Sequence, residues 1–136
     1  MRAALSVFAA ALSCTLAVAC IPKRDLPPAQ IKTLTSLKDD MDVQATVADP
    51  QFSKAGESSY TDADWAAFAD MGTRLQVTTD KAHEFSKGPE FDALATRLHD
   101  QAAALAAAAS SKDTPAASKL LGDMKATCKT CHSQFK

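Results

Sequence analysis

Apolar side chains recur at spacings of three and four residues in four segments of the chain, a period typical of amphipathic helices. The segments run from about residue 28 to 48, 61 to 85, 89 to 110 and 114 to 135. No segment alternates with the period of two that marks a half-buried strand. Because the predicted helices are of similar length and joined by short connections, the pattern predicts an all-α protein, an antiparallel four-helix bundle.

Local signals mark where these helices begin and end. The first helix is expected to open near Pro28 and to stop at Ala48, because Pro50 disfavours helical geometry at the preceding residue. Thr61 and Asp64 resemble a capping box at the start of the second helix. The remaining boundaries are marked by residues typical of helix ends: Gly88 and Pro89 between the second and third helices, and Asp113 or Thr114 followed by Pro115 before the fourth.

The N-terminal segment has the pattern of an export signal. Arg2 precedes an apolar run that is too short to span a bilayer as a mature helix. The run Leu16–Ala19 before Cys20 resembles a bacterial lipobox, which implies that residues 1–19 are a signal peptide and that Cys20 is lipidated. Cleavage by ordinary signal peptidase after Ala19 and an uncleaved membrane anchor are the alternatives.

The prolines that follow Cys20 predict that residues 20–27 form a short tether to a single domain over residues 28–136. An exported protein with this signal is expected in the periplasm, held to a membrane by the lipid on Cys20. Ile21, rather than Asp, after the cysteine favours delivery to the outer membrane in a Gram-negative host.

Composition adds limits to this picture. A length of 136 residues fits one domain, and a net charge of −1 gives no reason to expect nucleic acid as a partner. The hydrophobic fraction of 46% is that of a globular chain, not a disordered one. Only 6% of the residues are aromatic and only four are glycine, which favours helices over a β-sandwich or barrel.

The chemistry is concentrated near the C-terminus, where residues 128–132 read Cys-Lys-Thr-Cys-His, the c-type haem attachment motif. On a helix, Cys128 and Cys131 face the same side, so both thiols can form thioethers with the two vinyl groups of one porphyrin. His132 can then bind the iron. Haem attachment requires an exported protein, which agrees with the N-terminal signal.

Three other readings of the cysteine pair are open from the residues alone. A zinc site needs two more ligands, and only His83 and His99 remain, neither with the spacing of a ligand pair. A thioredoxin-like dithiol belongs at the start of a helix that follows a strand, and no strand is predicted. A disulfide between cysteines three apart on one helix would constrain almost nothing.

The position of the motif, with only four residues after His132, resembles the class II c-type cytochromes, which include cytochrome c′ and the cytochrome c-556 type. The resemblance covers about residues 28–136. It implies a four-helix bundle with one covalent haem c, with His132 as proximal ligand. It also implies that a residue of the first helix faces the other side of the iron.

Met41 is the only methionine on the first predicted helix and is the expected distal ligand, with core packing as the alternative role. Met71 and His83 on the second helix are the other candidates, and Met124 is expected beside the haem edge. Many class II members have Arg four residues before the distal position. This chain has Leu37 there, which leaves Lys38 or Arg74 to meet a haem propionate.

Two functions follow from the resemblance. In the first, His132 and Met41 both bind the iron, and the protein carries electrons to and from redox protein partners. In the second, the distal face is open and walled by Leu34, Leu37 or Phe68, and the iron binds NO or CO. The sequence contains no further acid–base or nucleophile constellation, which favours a carrier over an enzyme, and it leaves open whether the bundle forms a homodimer.

Charge is unevenly distributed along the chain. Residues 39–64 carry seven acidic side chains and one lysine, whereas residues 113–136 carry four lysines and two aspartates. A positive surface beside an exposed haem edge would steer acidic redox partners. The alternative is that these charges only solvate the outer faces of the helices.

Overall fold

Five α-helices follow one another along residues 25–136, the part of the chain that this computed structural model describes. Their bounds are α1 Pro28–Ile31, α2 Leu37–Phe52, α3 Asp62–His83, α4 Pro89–Ser111 and α5 Thr114–Phe135. No strand occurs in these residues, and the predicted all-α four-helix bundle is confirmed, with α2 to α5 as its long helices. The predicted signal peptide and Cys20 lie outside the described residues.

The first predicted helix is divided, which corrects the prediction of one helix from residue 28 to 48. α1 is a single turn, and α2 begins only at Leu37. The break occurs because Ser36 starts a new helix: its extended backbone and its side-chain oxygen, which accepts a 3.1 Å hydrogen bond from the Asp39 amide, form an N-cap. Two threonines between α1 and α2 also favour extended backbone over helix.

The predicted stop at Ala48 is wrong as well, because α2 continues through Pro50 to Phe52. Pro50 lies in the last turn of α2, where it removes only one amide donor from the helix. Continuation of the helix buries the Phe52 side chain in the core. Helical backbone at the residue before a proline has a free-energy cost, and burial of the Phe52 side chain gains more free energy than this cost.

The other helix ends agree with their sequence signals. Thr61 and Asp64 form the predicted capping box at the start of α3. Gly88 has a φ of 115°, which favours glycine, and Pro89 opens α4. Asp113 caps α5 by accepting a 3.0 Å hydrogen bond from the Ala116 amide.

α3 lies at the centre of the fold, where it packs against α1, α2 and α4, and α5 packs against α4 and α2. The closest approach is at Gly72, where an added Cβ atom would lie 2.7 Å from the carbonyl oxygen of Ala102 on α4. The ring of Tyr60 meets the rings of Trp65 and Phe68 edge-on at one end of the core. Within residues 25–136, no helix has the length and apolar character needed to cross a membrane.

Candidate functional site

A cavity of about 520 Å³ opens between α2, α4 and the C-terminal half of α5, with α3 as its floor. Most of its wall is apolar and comes from the inward faces of α2, α3 and α4. Six of these wall residues are Ala48, Phe52, Leu75, Ala82, Phe91 and Leu98. The volume and the apolar wall are those of a site for a small molecule or cofactor.

The three residues of the predicted haem motif line this cavity together. Cys128 and Cys131 are three residues apart on α5, so their side chains lie on one face of the helix. Both sulfurs are unbonded and partly buried, and the His132 side chain is exposed at the same wall. The arrangement therefore presents two thiols and one imidazole to a single occupant of the cavity.

Burial disfavours ionisation of both thiols. Burial, and to a lesser extent the nearby charges of Cys131 and Asp49, raises the pKa of Cys128 to about 11. Burial likewise raises the pKa of Cys131 above its usual value. A dithiol redox catalyst needs a lowered thiol pKa and the start of a helix, whereas these cysteines lie near the end of one. The thioredoxin-like reading therefore finds no support.

Met41 lines the same cavity from another helix, α2. Ala45 and Ala48, one and two turns further along α2, line the cavity as well. Ala48 also belongs to the hydrophobic core, whereas Val43 and Val47 are buried in that core and do not line the cavity.

The other candidates for the distal position lie elsewhere. Met71 and Met124 are fully buried in the hydrophobic core, and neither lines the cavity. His83 is exposed, with its Nε2 atom 3.4 Å from the Thr96 hydroxyl. Of the described methionines, Met41 alone lines the cavity.

The residues expected to wall an open distal face are also placed differently. Leu34, Leu37 and Phe68 do not line the cavity, and Phe68 is packed beneath Tyr60 and Trp65. Nor do Lys38 and Arg74, the two proposed propionate partners, line it. Lys38 pairs with Asp42 at 2.8 Å, and Arg74 bonds Asp70 and Asp25.

One buried polar group beside Met41 was not expected from the sequence. The Asp40 carboxyl is completely buried and accepts a 3.4 Å hydrogen bond from Gln44, which lines the cavity. Burial raises the pKa of Asp40 to about 7, against the opposing effects of the Gln44 hydrogen bond and the Lys81 charge. Residues 39–42 contain three aspartates and Met41, and the sequence gave no signal as to which of the three carboxyl groups is buried.

The C-terminal turn of α5, which carries His132, is fixed to the α3–α4 connection. The Lys87 ammonium donates a 2.8 Å hydrogen bond to the Phe135 carbonyl oxygen. The Phe135 ring meets the Phe91 ring edge-on, with their centroids 5.5 Å apart. Because Phe91 also lines the cavity, these contacts fix the histidine-bearing turn relative to the cavity wall.

The zinc reading finds no ligand set in residues 25–136, where no three His, Cys, Asp or Glu side chains are grouped to hold a metal ion. His99 lies between Asp80 and Asp100, at 3.6 and 3.5 Å. A covalent haem fits the observed donors better. Its vinyl carbons need two adjacent thiols, its iron needs an imidazole, and its flat apolar ring needs a cavity with an apolar wall.

Comparison with known proteins agrees with this fit. A family model described as Cytochrome C′ matches residues 29–136. A curated cytochrome c′ from Pararhodospirillum photometricum is 41% identical over 71 residues, which are 52% of this chain and 57% of that protein. The match therefore spans little more than half of the relative's length. No solved structure gives a significant match.

Proposed function

We propose that the chain, which belongs to the cytochrome c′ family and carries one covalently attached haem c, is a periplasmic electron carrier whose iron is bound by His132 and Met41. Cys128 and Cys131 hold the haem through thioethers. When bound, the haem supplies an iron that changes between the ferric and ferrous states.

One observation carries the proposal: Met41 on α2 and His132 on α5 line the same cavity from different helices. Both side chains would be available to the iron of a haem held in this cavity. The methionine sulfur is a neutral donor, and ligation by Met and His raises the reduction potential. The wall around these two residues is mostly apolar, while the His132 side chain itself is exposed.

The residues of this chain have separate tasks in that mechanism. The thioethers keep the ring in place without a deep pocket, and the Lys87 and Phe135 contacts hold the turn that presents His132. Gln44, three residues after Met41 on α2, donates a 3.4 Å hydrogen bond to the carboxylate of Asp40, the residue directly before Met41. The family consists of haem proteins without enzymatic activity, in agreement with a carrier.

A second candidate is a five-coordinate protein that binds NO or CO on an open distal face. The comparisons favour this candidate over the electron carrier, because both the family model and the relative are described as cytochrome c′, and proteins of that type are typically five-coordinate and bind gases. In that case Met41 lines the cavity without binding the iron, and the small side chains of Ala45 and Ala48 leave room for a diatomic gas.

Substitution of Met41 separates the two candidates. In the haem-loaded protein, Met41→Leu keeps the apolar volume and removes the sulfur, and Met41→Ala removes both. If Met41 binds the iron, both variants become high-spin and bind CO readily. Met71→Leu, at a buried methionine outside the cavity, is the matched control and leaves the spectrum unchanged. A native protein that already binds CO, with no change in Met41→Leu, would assign the gas-binding function.

We also propose that the mature protein is anchored to the membrane by a lipid on Cys20, on the basis of the lipobox-like residues before it. Expression of the full chain and of Cys20→Ser, followed by fractionation, tests the anchor. The native protein is expected in the membrane fraction and the variant in the soluble periplasmic fraction. Equal solubility of the two would contradict the anchor without affecting the haem assignment.

A further inference from the structure

The cavity opens on a face that carries lysines without acidic partners. Lys125, Lys129 and Lys136 on and after α5 line the cavity itself. Lys87 is bonded to the carbonyl oxygen of the residue before Lys136, and its charge lowers the pKa of Cys131 against the larger effect of burial. These four residues are called the lysine face: Lys87, Lys125, Lys129 and Lys136.

Lysines and arginines elsewhere in residues 25–136 are mostly neutralised within the chain. Six of them form ion pairs with acidic side chains: Lys38, Lys54, Arg74, Lys81, Lys112 and Lys119. No residue of the lysine face forms such a pair within the described part of the chain. Outside the face, only Lys32 and Arg97 share this property, and Arg97 lies near Gln134 beside the end of α5.

The acidic side chains do not balance the face locally. Asp49 is the only acidic residue that lines the cavity, against three lysines. Asp123, the only acidic residue within α5, is paired with Lys119. The chain as a whole has a net charge of −1, so the positive potential is a property of the cavity mouth and not of the whole molecule.

We propose that the lysine face is the docking surface for an electron-transfer protein that carries acidic side chains around its own redox centre. This inference rests on the proposed function, and it names the kind of partner for that site. Lysines at the rim of the cavity bring an acidic partner to the side of the molecule where Cys128, Cys131 and His132 hold the haem. Exposed charges of this kind act mainly on the rate of association, and salt screens them.

The two haem propionates are the alternative source of negative charge for these lysines. If the propionates already pair with them, the mouth has little remaining positive potential and attracts no acidic partner. The two cases differ in the salt dependence of association, because an internal lysine–propionate pair does not change the encounter with another protein.

The test uses the haem-loaded ferric protein and a flavodoxin hydroquinone as an acidic electron donor, with reduction followed by stopped flow at ionic strengths from 10 to 500 mM. Over this range of ionic strength, the Debye length falls from about 30 Å to a few ångströms. For the native protein, the second-order rate constant is expected to fall as salt rises, although both proteins have net negative charge.

The variant Lys125→Gln/Lys129→Gln removes two charges from the lysine face. It is expected to lower the low-salt rate constant roughly tenfold and to flatten its salt dependence. The matched control, Lys38→Gln/Lys119→Gln, removes two exposed lysines that already pair with Asp42 and Asp123. This control changes the net charge by the same amount as Lys125→Gln/Lys129→Gln. Its low-salt rate constant is expected to stay within about twofold of the native value.

The reduction potential and visible spectrum of each variant are measured in parallel, so that a changed driving force is recognised. Equal losses in the two double variants would show an effect of net charge alone and would overturn the docking surface. A native rate constant that rises with salt would overturn it as well. Neither result bears on whether Met41 binds the iron, which the spectra decide separately.

Discussion

The Lys87 ammonium lies 2.8 Å from the carbonyl oxygen of Phe135, three residues after His132. This bond joins the α3–α4 connection to the last turn of α5, and the Phe91–Phe135 ring contact lies beside it. Because C-terminal turns of helices fray readily, the pair restrains the part of the chain that presents the proximal histidine. These two contacts therefore help to hold His132 in position at the haem site.

Loss of the aromatic contact should loosen this turn more than loss of the hydrogen bond. Phe135→Ala is expected to lower the free energy of unfolding by about 1–2 kcal/mol, through lost burial and the ring contact. Lys87→Met is expected to cost less than about 1 kcal/mol because the bond is exposed. Urea unfolding gives the free energies, and hydrogen exchange of the amides of residues 133–136 reports the local effect.

Lys125→Met is the control for this pair, since it removes an exposed lysine of α5 that forms no hydrogen bond within the described residues. It should leave exchange at the end of α5 unchanged. Unaltered exchange in both Phe135→Ala and Lys87→Met would show that these contacts do not restrain the histidine-bearing turn.

Two glycines in the middle of helices should respond in opposite directions to alanine. At Gly72, a Cβ atom would lie 2.7 Å from the Ala102 oxygen and 2.9 Å from the Ala106 Cβ atom. Gly72→Ala therefore forces α3 and α4 apart, with an expected loss of about 1–3 kcal/mol. At Gly122 an added Cβ atom would meet no atom of another part of the structure within 4 Å, so Gly122→Ala is expected to stabilise the protein by roughly 0.5–1 kcal/mol.

Thermal or urea unfolding measures the stability of Gly72→Ala and Gly122→Ala, each of which adds a single methyl group. A Gly72→Ala variant as stable as the native protein would mean that the two helices do not approach as closely as the structure has them. Ala106→Gly should rescue Gly72→Ala only in part, because the Ala102 carbonyl remains in place.

The capping box of α3 gives a pH dependence of stability. The hydrogen bond from Lys54, followed by those from Thr61, lowers the pKa of Asp64 to about 2 from its usual 3.8. A carboxyl with a lowered folded-state pKa contributes stability above the unfolded-state value, and that contribution is lost as the pH falls from about 4 to about 2. Asp64→Asn is therefore expected to be less stable than the native protein at pH 6 and equally stable near pH 2.

Urea unfolding at a series of pH values checks this expectation. Glu57→Gln, at an exposed carboxyl in the preceding connection, removes one charge outside the cap and should differ little from the native protein at any pH. A difference between Asp64→Asn and the native protein that persists unchanged to pH 2 would assign the effect to packing and not to the charge.

Features with local causes could be predicted from the sequence. The Thr61–Asp64 capping box, the Gly88–Pro89 boundary and the Asp113 cap each depend on a few neighbouring residues, and all three occur in the structure. The haem motif was equally local. Its position near the C-terminus, after three predicted helices, was enough to indicate the family that the comparisons then confirmed.

Features that depend on tertiary contacts could not be predicted in this way. The helix continues through Pro50 because Phe52 gains burial, which local preferences do not report. The division at Ser36 was missed because the threonines and the cap lie within an apolar period that continues across them. Met41 could be chosen from the sequence as the only methionine of the first predicted helix, but only the fold shows that it lines the cavity and that Asp40 beside it is buried.

The visible absorption spectrum of the native, haem-loaded protein tests the ligation by His132 and Met41 most directly. The protein is produced in a host with haem-attachment machinery and is recorded oxidised, reduced, and reduced under CO. The account predicts a sharp low-spin reduced spectrum, a weak far-red methionine–iron band in the oxidised form, and no change with CO. A broad high-spin spectrum that shifts on addition of CO would contradict Met41 as ligand and assign the protein to gas binding.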